Sequence, residues 1–306
     1  MRCYSDLFEY FSEKLPTLKL KREEPLCAHT SFHIGGPAEV MAFPDSCEML
    51  ARILSLAHKE GIRPWILGAG TNVLAPDEGI RGLVIVTRHA LTDVCALSDT
   101  CIAAMSGASM AKLALFARDM SLTGLEFAHG IPGTVGGGVY MNAGAYGGEI
   151  CQVAVATEFV RMDGSIERFK GDAQGFAYRG SAFQKEEGVI VRTEFALTPG
   201  EKEEIQNRMQ ELAEKRRASQ PLEYPSAGSA FKRPVGGYAA ALIDQAGLKG
   251  LRVGGAAVSE KHAGFVINKG GATAADVLAL LELVQKRVYA DSGISLEPEI
   301  RLWGKK

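Results

Sequence analysis

Hydrophobic periodicity in the first part of the chain predicts a strand, a helix and then further strands. Polar and apolar residues alternate enough over Pro37–Phe43 to indicate a strand. The following segment has helical spacing and stops at Gly61, and Asp45 and Glu48 are placed as its capping box. Its apolar face comprises Met49, Leu50, Ile53, Leu54 and Ala57. Short apolar runs within 63–74 and 82–86 then complete a βαββ-like unit that ends near residue 88.

A second unit with similar alternation follows. Cys101–Met105 indicates a strand, and Ser109 is placed to cap the helix after it. Residues 153–169 predict a hairpin whose turn is Asp163 and Gly164, and 188–197 predicts a further strand. Thr198 and Pro199 then open a charged helix that is predicted to reach about Ala218 and to act as a linker.

The last hundred residues mix short helices and strands. Thr273 is placed to cap an amphipathic helix, and 295–303 is expected to form a closing strand. Because helices and strands are interspersed without strict βαβ alternation, the pattern favours an α+β fold over a doubly wound sheet. The boundaries divide the chain into three predicted parts, 1–88, 89–199 and 200–306.

Composition and charge narrow the class of protein. The chain has 306 residues, a net charge of −2 and 46% hydrophobic residues, which is typical of a soluble protein with no basic surface for nucleic acid or an anionic membrane. Acidic residues interrupt the N-terminal segment, so we expect no signal peptide, no membrane span and a cytoplasmic location. The six cysteines and six histidines show no metal-ligand spacing, so no metal site is predicted.

Two segments are rich in glycine and poor in charge, namely "LGAGTNVL" at 67–74 and "GIPGTVGGGVYMNAGAYGGEI" at 130–150. Glycines let a backbone approach a ligand closely, and successive N–H groups can hold an anion without lysine or arginine. Neither segment matches a dinucleotide-binding or P-loop pattern, and tight turns are the alternative explanation. Because two such segments occur, a ligand-binding role is favoured, although their spacing does not name the ligand.

Six motifs in order carry a family resemblance. They are "TSFHIGGPAEV", "LGAGTNVL", "GLEFAHGIPGTVGGGVYMNAGAYGGEI", "YRGSAF", "GSAFKRP" and "LEPEIRLWG". Together they resemble the UDP-N-acetylenolpyruvoylglucosamine reductases, flavoenzymes of peptidoglycan precursor synthesis. The resemblance extends from about Thr30 to Gly304.

The resemblance implies a vanillyl-alcohol oxidase type of FAD-binding fold in two subdomains, 1–88 and 89–199, followed by an α+β substrate-binding domain at 200–306. It also implies non-covalent FAD whose pyrophosphate rests on backbone amides. Tethering of the flavin through His33 or His129 is disfavoured, and His129 is expected to pack beside it. The expected FAD-lining residues are Gly68, Ala69, Gly70, Thr71, Asn72, Val73, Leu74, Gly130, Ile131, Pro132, Gly133, Thr134, Val135, Gly136, Gly137, Asn142, Ala143, Gly144 and Ala145.

The implied reaction passes a hydride from NADPH through flavin N5 to C3 of an enolpyruvyl group, after which a proton reaches C2. By resemblance, Ser229 is the proton donor and Arg179 stabilises the enolate-like charge. Glu299 matches the catalytic glutamate. If 295–303 is a strand, Glu297 and Glu299 share one face, so Glu297 remains a competitor.

Further substrate contacts are expected from Tyr178, Lys232 and Arg233. Arg233 stands where other members of the family have asparagine, which leaves its role open between the substrate phosphate and the flavin. No extra segment lies between Ser181 and Ser226, so the chain resembles the shorter class that lacks an inserted tyrosine loop.

Two other functions remain open at this point. An FAD oxidase on the same fold would use oxygen and often a tethered flavin, whereas a flavin-binding protein without catalysis would leave Arg179, Ser229 and Glu299 incidental. The expected partners are small molecules, a UDP-sugar nucleotide and NADPH, and the sequence is silent on oligomeric state.

Overall fold

The structure, a computed structural model, describes residues 6–304 and contains long and short helices distributed along the chain. Its α-helices are α1 (Leu7–Lys14), α2 (Cys47–Lys59), α3 (Met110–Asp119), α4 (Val135–Tyr140), α5 (Lys202–Ser219), α6 (Ala239–Gln245) and α7 (Ala274–Ser292).

Three larger sheets hold most of the strands. In the first sheet the strand order is Lys19–Pro25, Pro37–Phe43, Ile80–Val86 and Trp65–Leu67. In the second sheet it is Ile166–Lys170, Ala154–Arg161, Gly188–Ala196, Cys101–Met105 and Val94–Ser98. In the third sheet it is Ser226–Ser229, Phe265–Asn268, Ala256–Val258 and Arg252–Val253. The two-stranded pairs are Gly144–Ala145 with Gly148–Glu149, Leu122–Thr123 with Thr198–Pro199, and Val73–Leu74 with Arg301–Leu302. This mixture of helices and mainly antiparallel sheets confirms the α+β fold.

The chain divides into two compact units. The first unit comprises the chain up to Glu23, Glu39–Ala69 and Arg81–Glu214, and the second comprises Glu24–Ala38, Gly70–Ile80 and the chain from Lys215 onward. The division at 88 and 199 into three parts remains a prediction.

Each unit has its own apolar core. In the first unit, α2 buries Leu50 and Ile53 in one core with Leu83 and Ile85 of the strand Ile80–Val86. The apolar face predicted for α2 is confirmed. In the second unit, α7 buries Val277, Leu280, Leu281, Val284 and Val288 within one core. Both helices therefore owe their placement to one apolar face, which stabilises a helix more than propensity does.

Three predictions about element ends are wrong. Ser46, and not a box of Asp45 and Glu48, caps α2, because its hydroxyl accepts the Met49 N–H at 3.2 Å. The charged helix α5 begins at Lys202 because Thr198–Pro199 pairs as a short strand with Leu122–Thr123. The closing strand is restricted to Arg301–Leu302.

The cysteines of the described residues and the helices that could cross a membrane are considered next. Cys27, Cys47, Cys95, Cys101 and Cys151 are free thiols, while Cys3 lies outside the described residues. Within 6–304, no helix is both long and apolar enough to cross a bilayer.

The N-terminus of α7 is capped from two directions. Thr273 forms the predicted cap with the Asp276 N–H, which confirms that assignment. The Asp77 carboxylate adds a cap that the sequence did not indicate, since it accepts the N–H groups of Ala274 at 2.7 Å and Ala275 at 3.0 Å. A carboxylate at this end also faces the positive pole of the helix dipole.

We expect Asp77→Ala to lower the free energy of unfolding by about 1 kcal/mol, because two helix N–H groups lose their acceptor. Asp291→Ala is the matched control, since Asp291 is exposed in the last turn of the same helix, where an acid gives no such support. Urea unfolding of both variants measures the difference. Equal losses in the two variants would contradict the capping role.

Candidate functional site

The glycines of 130–150 mainly allow the first unit to pack closely on itself. A Cβ at Gly136 would lie 2.8 Å from Ser106 Cβ, and one at Gly138 would lie 2.7 Å from Met110 Sδ. A Cβ at Gly148 would lie 2.4 Å from the Phe127 ring. Gly137 differs, because its Cβ would meet only Thr134 Oγ1 at 3.5 Å. Much of the glycine content therefore serves packing, and Gly137 is the position in α4 that leaves room for an approaching ligand.

Thr134 starts α4 and fixes how this segment enters the helix. Its hydroxyl accepts the Gly137 N–H at 3.3 Å. Its neighbours Val135 and Gly136 donate their N–H groups to the carbonyls of Ala108 and Ser106. A Cβ at Gly68 would lie 2.6 Å from Thr134 Oγ1, so the two glycine-rich segments approach each other here within the first unit.

Asn142 is a buried junction with an exposed fraction of 1%. Its Nδ2 donates to Glu149 Oε2 and to the Ala177 carbonyl, both at 3.1 Å, and its Oδ1 accepts the Cys151 N–H at 2.9 Å. The backbone of Asn142 has a φ of +43°, which asparagine tolerates better than most residues. The side chain thus joins the glycine-rich segment to the neighbouring loop, while its predicted contact with FAD stays a prediction.

Arg179 lies in that neighbouring loop, in a tight turn with Tyr178. The turn is closed by two hydrogen bonds between Ala177 and Gly180, both 3.0 Å long. Arg179 itself has a φ of +54°, a left-handed conformation that costs a non-glycine residue about 1–2 kcal/mol. Such strain persists only where the surroundings impose it, and it occurs most often at functional sites. The half-buried guanidinium directs Nη2 toward the Gly144 carbonyl at 3.4 Å, and it lies over the exposed Tyr178 ring.

In the second unit, the segment after Gly70 turns its carbonyls toward the protein. The Gly70 carbonyl accepts the Ser31 N–H at 3.1 Å, and the Asn72 carbonyl accepts the Arg301 N–H at 3.0 Å. In a trans peptide the N–H points opposite to the carbonyl, so the N–H groups of Thr71 and Val73 are directed away from these partners. Gly70 needs its lack of a side chain, because its φ is +66° and a Cβ would lie 2.2 Å from the His29 carbonyl.

Ser229 is presented to solvent by an irregular strand. Ser226 pairs with Ile267 and Ser229 with Phe265, so the strand Ser226–Ser229 contains one extra residue. Gly228 allows this bulge with a φ of +78°. A bulge changes the direction of the following side chain, and here Ser229 is exposed whereas Ala227 and Ala230 are buried.

Glu299 lies beside this segment through antiparallel backbone pairing. The Glu299 N–H donates to the Ala230 carbonyl at 2.9 Å, and the Lys232 N–H donates to the Glu297 carbonyl at 2.8 Å. Phe231 is thereby bridged to Pro298. The pairing brings Glu299 next to the residue that follows Ser229, although the two are far apart in sequence.

Glu297 and Glu299 lie outside the strand Arg301–Leu302, so the strand on which their shared face was conditional is not formed there. Glu297 is exposed and forms an ion pair with Lys232, whereas Glu299 is half-buried. The ion pair of Glu297 suits a structural role, and the half-buried Glu299 is the acid that is proposed to be catalytic.

The remaining polar residues singled out from the sequence lie on the surface or partly buried. Arg233 stacks over the Tyr238 ring at 4.0 Å. His33 is exposed, and burial lowers the pKa of half-buried His129, with nearby Arg118 lowering it further. In the range 6–304, no group of three His, Cys, Asp or Glu residues is placed to hold a metal ion.

Comparison with known proteins gives a consistent result over almost the whole chain. Residues 38–170 match the model of the FAD binding domain, and residues 220–303 match that of the UDP-N-acetylenolpyruvoylglucosamine reductase C-terminal domain. The reductase of Syntrophomonas wolfei is 45% identical over 303 residues, covering 99% of this chain and 100% of the relative. The chain belongs to the UDP-N-acetylenolpyruvoylglucosamine reductase family. The resemblance in the six motifs is thus confirmed.

Two further members support the assignment. The UDP-N-acetylenolpyruvoylglucosamine reductase of Caldanaerobacter subterraneus is 46% identical over 300 residues, covering 98% of this chain and 99% of the relative. The crystal structure of the reductase from Thermus caldophilus has a TM-score of 0.76 at 35% identity, covering 94% of this chain and 98% of that one. The shared fold therefore spans both compact units of this member of the reductase family.

The residues present fit the FAD that this reductase family implies. The N–H group of Val73 points away from the protein partner of its peptide, and an amide so directed suits a pyrophosphate. Next to α4, the hydroxyl of Ser106 is buried and has no hydrogen-bond partner in the described part of the chain. A buried hydroxyl without a partner is costly, and a bound polar group would satisfy it.

Several contributors to this site were not indicated by the sequence. Ser106 carried no motif signal, and the left-handed backbone of Arg179 cannot be predicted from residue type. The buried junction at Asn142 had a partial signal, because asparagine within a glycine-rich segment often adopts a positive φ.

We expect Asn142→Ala to lower the free energy of unfolding by roughly 3–4 kcal/mol, because three hydrogen bonds are lost and alanine must adopt a positive φ. Asn142→Gly removes the same hydrogen bonds without the backbone penalty, and should lose about 1 kcal/mol less. Denaturant unfolding of the flavin-free proteins provides the comparison. An Asn142→Ala variant as stable as the unsubstituted protein would show that the Asn142 side chain does not stabilise the fold.

The adjacent glycines of α4 offer a matched pair. Gly136→Ala should destabilise the protein by about 1–3 kcal/mol, because its methyl group would collide with Ser106. Gly137→Ala has open space and a better helix propensity, so it should be neutral or stabilising by up to about 1 kcal/mol. Thermal unfolding of both flavin-free variants distinguishes them. A reversed order would show that packing against Ser106 does not restrict α4.

Proposed function

We propose that this protein is an FAD-dependent reductase that uses NADPH to reduce the enolpyruvyl group of UDP-N-acetylglucosamine enolpyruvate to UDP-N-acetylmuramate, a step of peptidoglycan precursor synthesis. The observation that carries the proposal is full-length identity of 45–46% to reductases of that name. The substrates are small molecules, a UDP-sugar nucleotide and NADPH. Bound FAD supplies the redox chemistry by carrying the hydride between them.

The proposal assigns binding of the flavin to the backbone of the two glycine-rich segments. The open space at Gly137 and the direction of the Val73 N–H group support this assignment. Amide N–H groups can hold a pyrophosphate without lysine or arginine, which agrees with the low charge of both segments.

The proposal assigns the proton step to Ser229. Its exposure at the end of a bulged strand makes its hydroxyl accessible to a substrate, and backbone pairing with Phe265 holds this part of the strand in place. A serine hydroxyl is a weak acid, so the proton must leave as negative charge builds at C2 of the substrate. Glu299, held beside the same segment, is proposed to hydrogen-bond the enolate-like species.

In the first unit, Arg179 is proposed to bind the carboxylate of the enolpyruvyl group. A guanidinium presents two parallel donors to a carboxylate and stays charged at all working pH values. The left-handed turn fixes the arginine backbone, so less freedom is lost when the substrate binds. Tyr178, Lys232 and Arg233 are proposed as further substrate contacts, with Lys232 exchanging its Glu297 partner for the nucleotide.

We expect Ser229→Ala to leave reduction of the flavin by NADPH unchanged and to slow its reoxidation by the enolpyruvyl nucleotide about 10²–10⁴-fold, because only the second half-reaction needs the proton. Stopped-flow absorbance under anaerobic conditions measures each half-reaction separately. Ser226→Ala is the matched control, since Ser226 lies in the same strand and contributes its carbonyl to Ser31 Oγ.

Unchanged reoxidation in Ser229→Ala would remove Ser229 from its role. If the unsubstituted protein were reoxidised by oxygen and not by the nucleotide, an oxidase on the same fold would be the better description.

A further inference from the structure

Gln184 joins the Arg179 turn to the end of α4. Its Nε2 donates to the Arg179 carbonyl at 3.1 Å and to the Tyr140 carbonyl at 3.0 Å. Each hydrogen of the side-chain amide thus has one carbonyl acceptor. The carbonyl of Arg179 belongs to the residue whose φ is +54°, so Gln184 acts directly on the strained peptide.

Other contacts hold the turn from the opposite side. The Ala177 carbonyl accepts from Asn142 Nδ2, and the Ser181 hydroxyl donates to the same Tyr140 carbonyl that Gln184 reaches, at 2.8 Å. Ser181 is buried, with an exposed fraction of 7%. The turn is therefore fixed before Arg179 by Asn142, and at and after Arg179 by Gln184 and Ser181.

The strain at Arg179 makes this arrangement informative. A non-glycine residue leaves the left-handed region unless its neighbours stabilise it. The two bonds between Ala177 and Gly180 close the turn, and Gln184 adds a hydrogen bond to the Arg179 carbonyl itself. A small rotation of the Arg179 peptide would move the guanidinium, and misplacement by about 1 Å can reduce a rate about a hundredfold.

We propose that Gln184 is a positioning residue that holds the Arg179 backbone in its left-handed conformation and so orients the guanidinium for the enolpyruvyl carboxylate. The inference rests on the proposed function, because Arg179 must act on the substrate for its orientation to matter. Gln184 itself does not contact substrate in this account. Its effect reaches the reaction through the peptide of Arg179.

The test compares an apolar and a cationic replacement in the flavin-loaded protein. Gln184→Met keeps the length of the side chain but donates no hydrogen bond. Gln184→Lys restores N–H donors that can reach two carbonyls. We expect Gln184→Met to slow flavin reoxidation at saturating enolpyruvyl nucleotide by about tenfold or more. The reoxidation rate of Gln184→Lys should lie within about threefold of that of the unsubstituted protein. Flavin reduction by NADPH should stay unchanged in both variants.

The matched control is Gln210→Met, which removes the amide of a glutamine whose Nε2 contacts Glu214 on the exposed face of α5. It should alter neither half-reaction. If Gln184→Met yields no folded protein, Gln184→Glu replaces it, because an isosteric carboxylate presents acceptors to two carbonyls and should slow reoxidation as well.

Three results would overturn the inference. The first is unchanged flavin reoxidation in Gln184→Met, or in Gln184→Glu if that variant replaces it. The second is equal slowing of both half-reactions. The third is a Gln184→Lys variant whose flavin is reoxidised as slowly as that of Gln184→Met or its replacement. Failure of the proposed function looks different, because the unsubstituted protein would then not be reoxidised by the nucleotide at all.

Discussion

The chemistry assigned to the second unit depends on one backbone pairing, in which residues 230–232 lie antiparallel to 297–299. Hydrogen bonds from the Glu299 N–H to the Ala230 carbonyl and from the Lys232 N–H to the Glu297 carbonyl define its register. This register places Glu299 beside the Ser229 segment and leaves Glu297 in the exposed ion pair with Lys232. A shift by one residue would move both acids to the opposite side of this segment, because neighbouring side chains point to opposite sides of an extended chain.

In the first unit, uncharged side chains hold the Arg179 turn and the glycine-rich segment in place. Asn142 and Gln184 do this with side-chain amides, which donate to main-chain carbonyls and add no charge. The glycines around them serve mainly to let Ser106, Met110 and Phe127 pack closely against the segment.

The sequence was sufficient for the fold class, for the apolar face of α2 and for the cap of α7 at Thr273, because each rests on local periodicity or a local hydrogen bond. It failed where a distant segment decided the outcome. Thr198–Pro199 is a strand because Leu122–Thr123 pairs with it, and the strand expected at 295–303 is limited to Arg301–Leu302, which pairs with Val73–Leu74. Motif order predicted the candidate catalytic residues, whereas the positioning role of Gln184 depends on a backbone conformation that residue types do not specify.

The central claim is that the enolpyruvyl nucleotide is the oxidant of the reduced protein. It is tested most directly by reducing the FAD-loaded protein with NADPH without oxygen and then adding one equivalent of the nucleotide. The account predicts full return of the oxidised-flavin absorbance, together with a product heavier than the nucleotide by two hydrogens in the mass spectrum. Flavin that stays reduced until oxygen is admitted, with the nucleotide recovered unchanged, would contradict it.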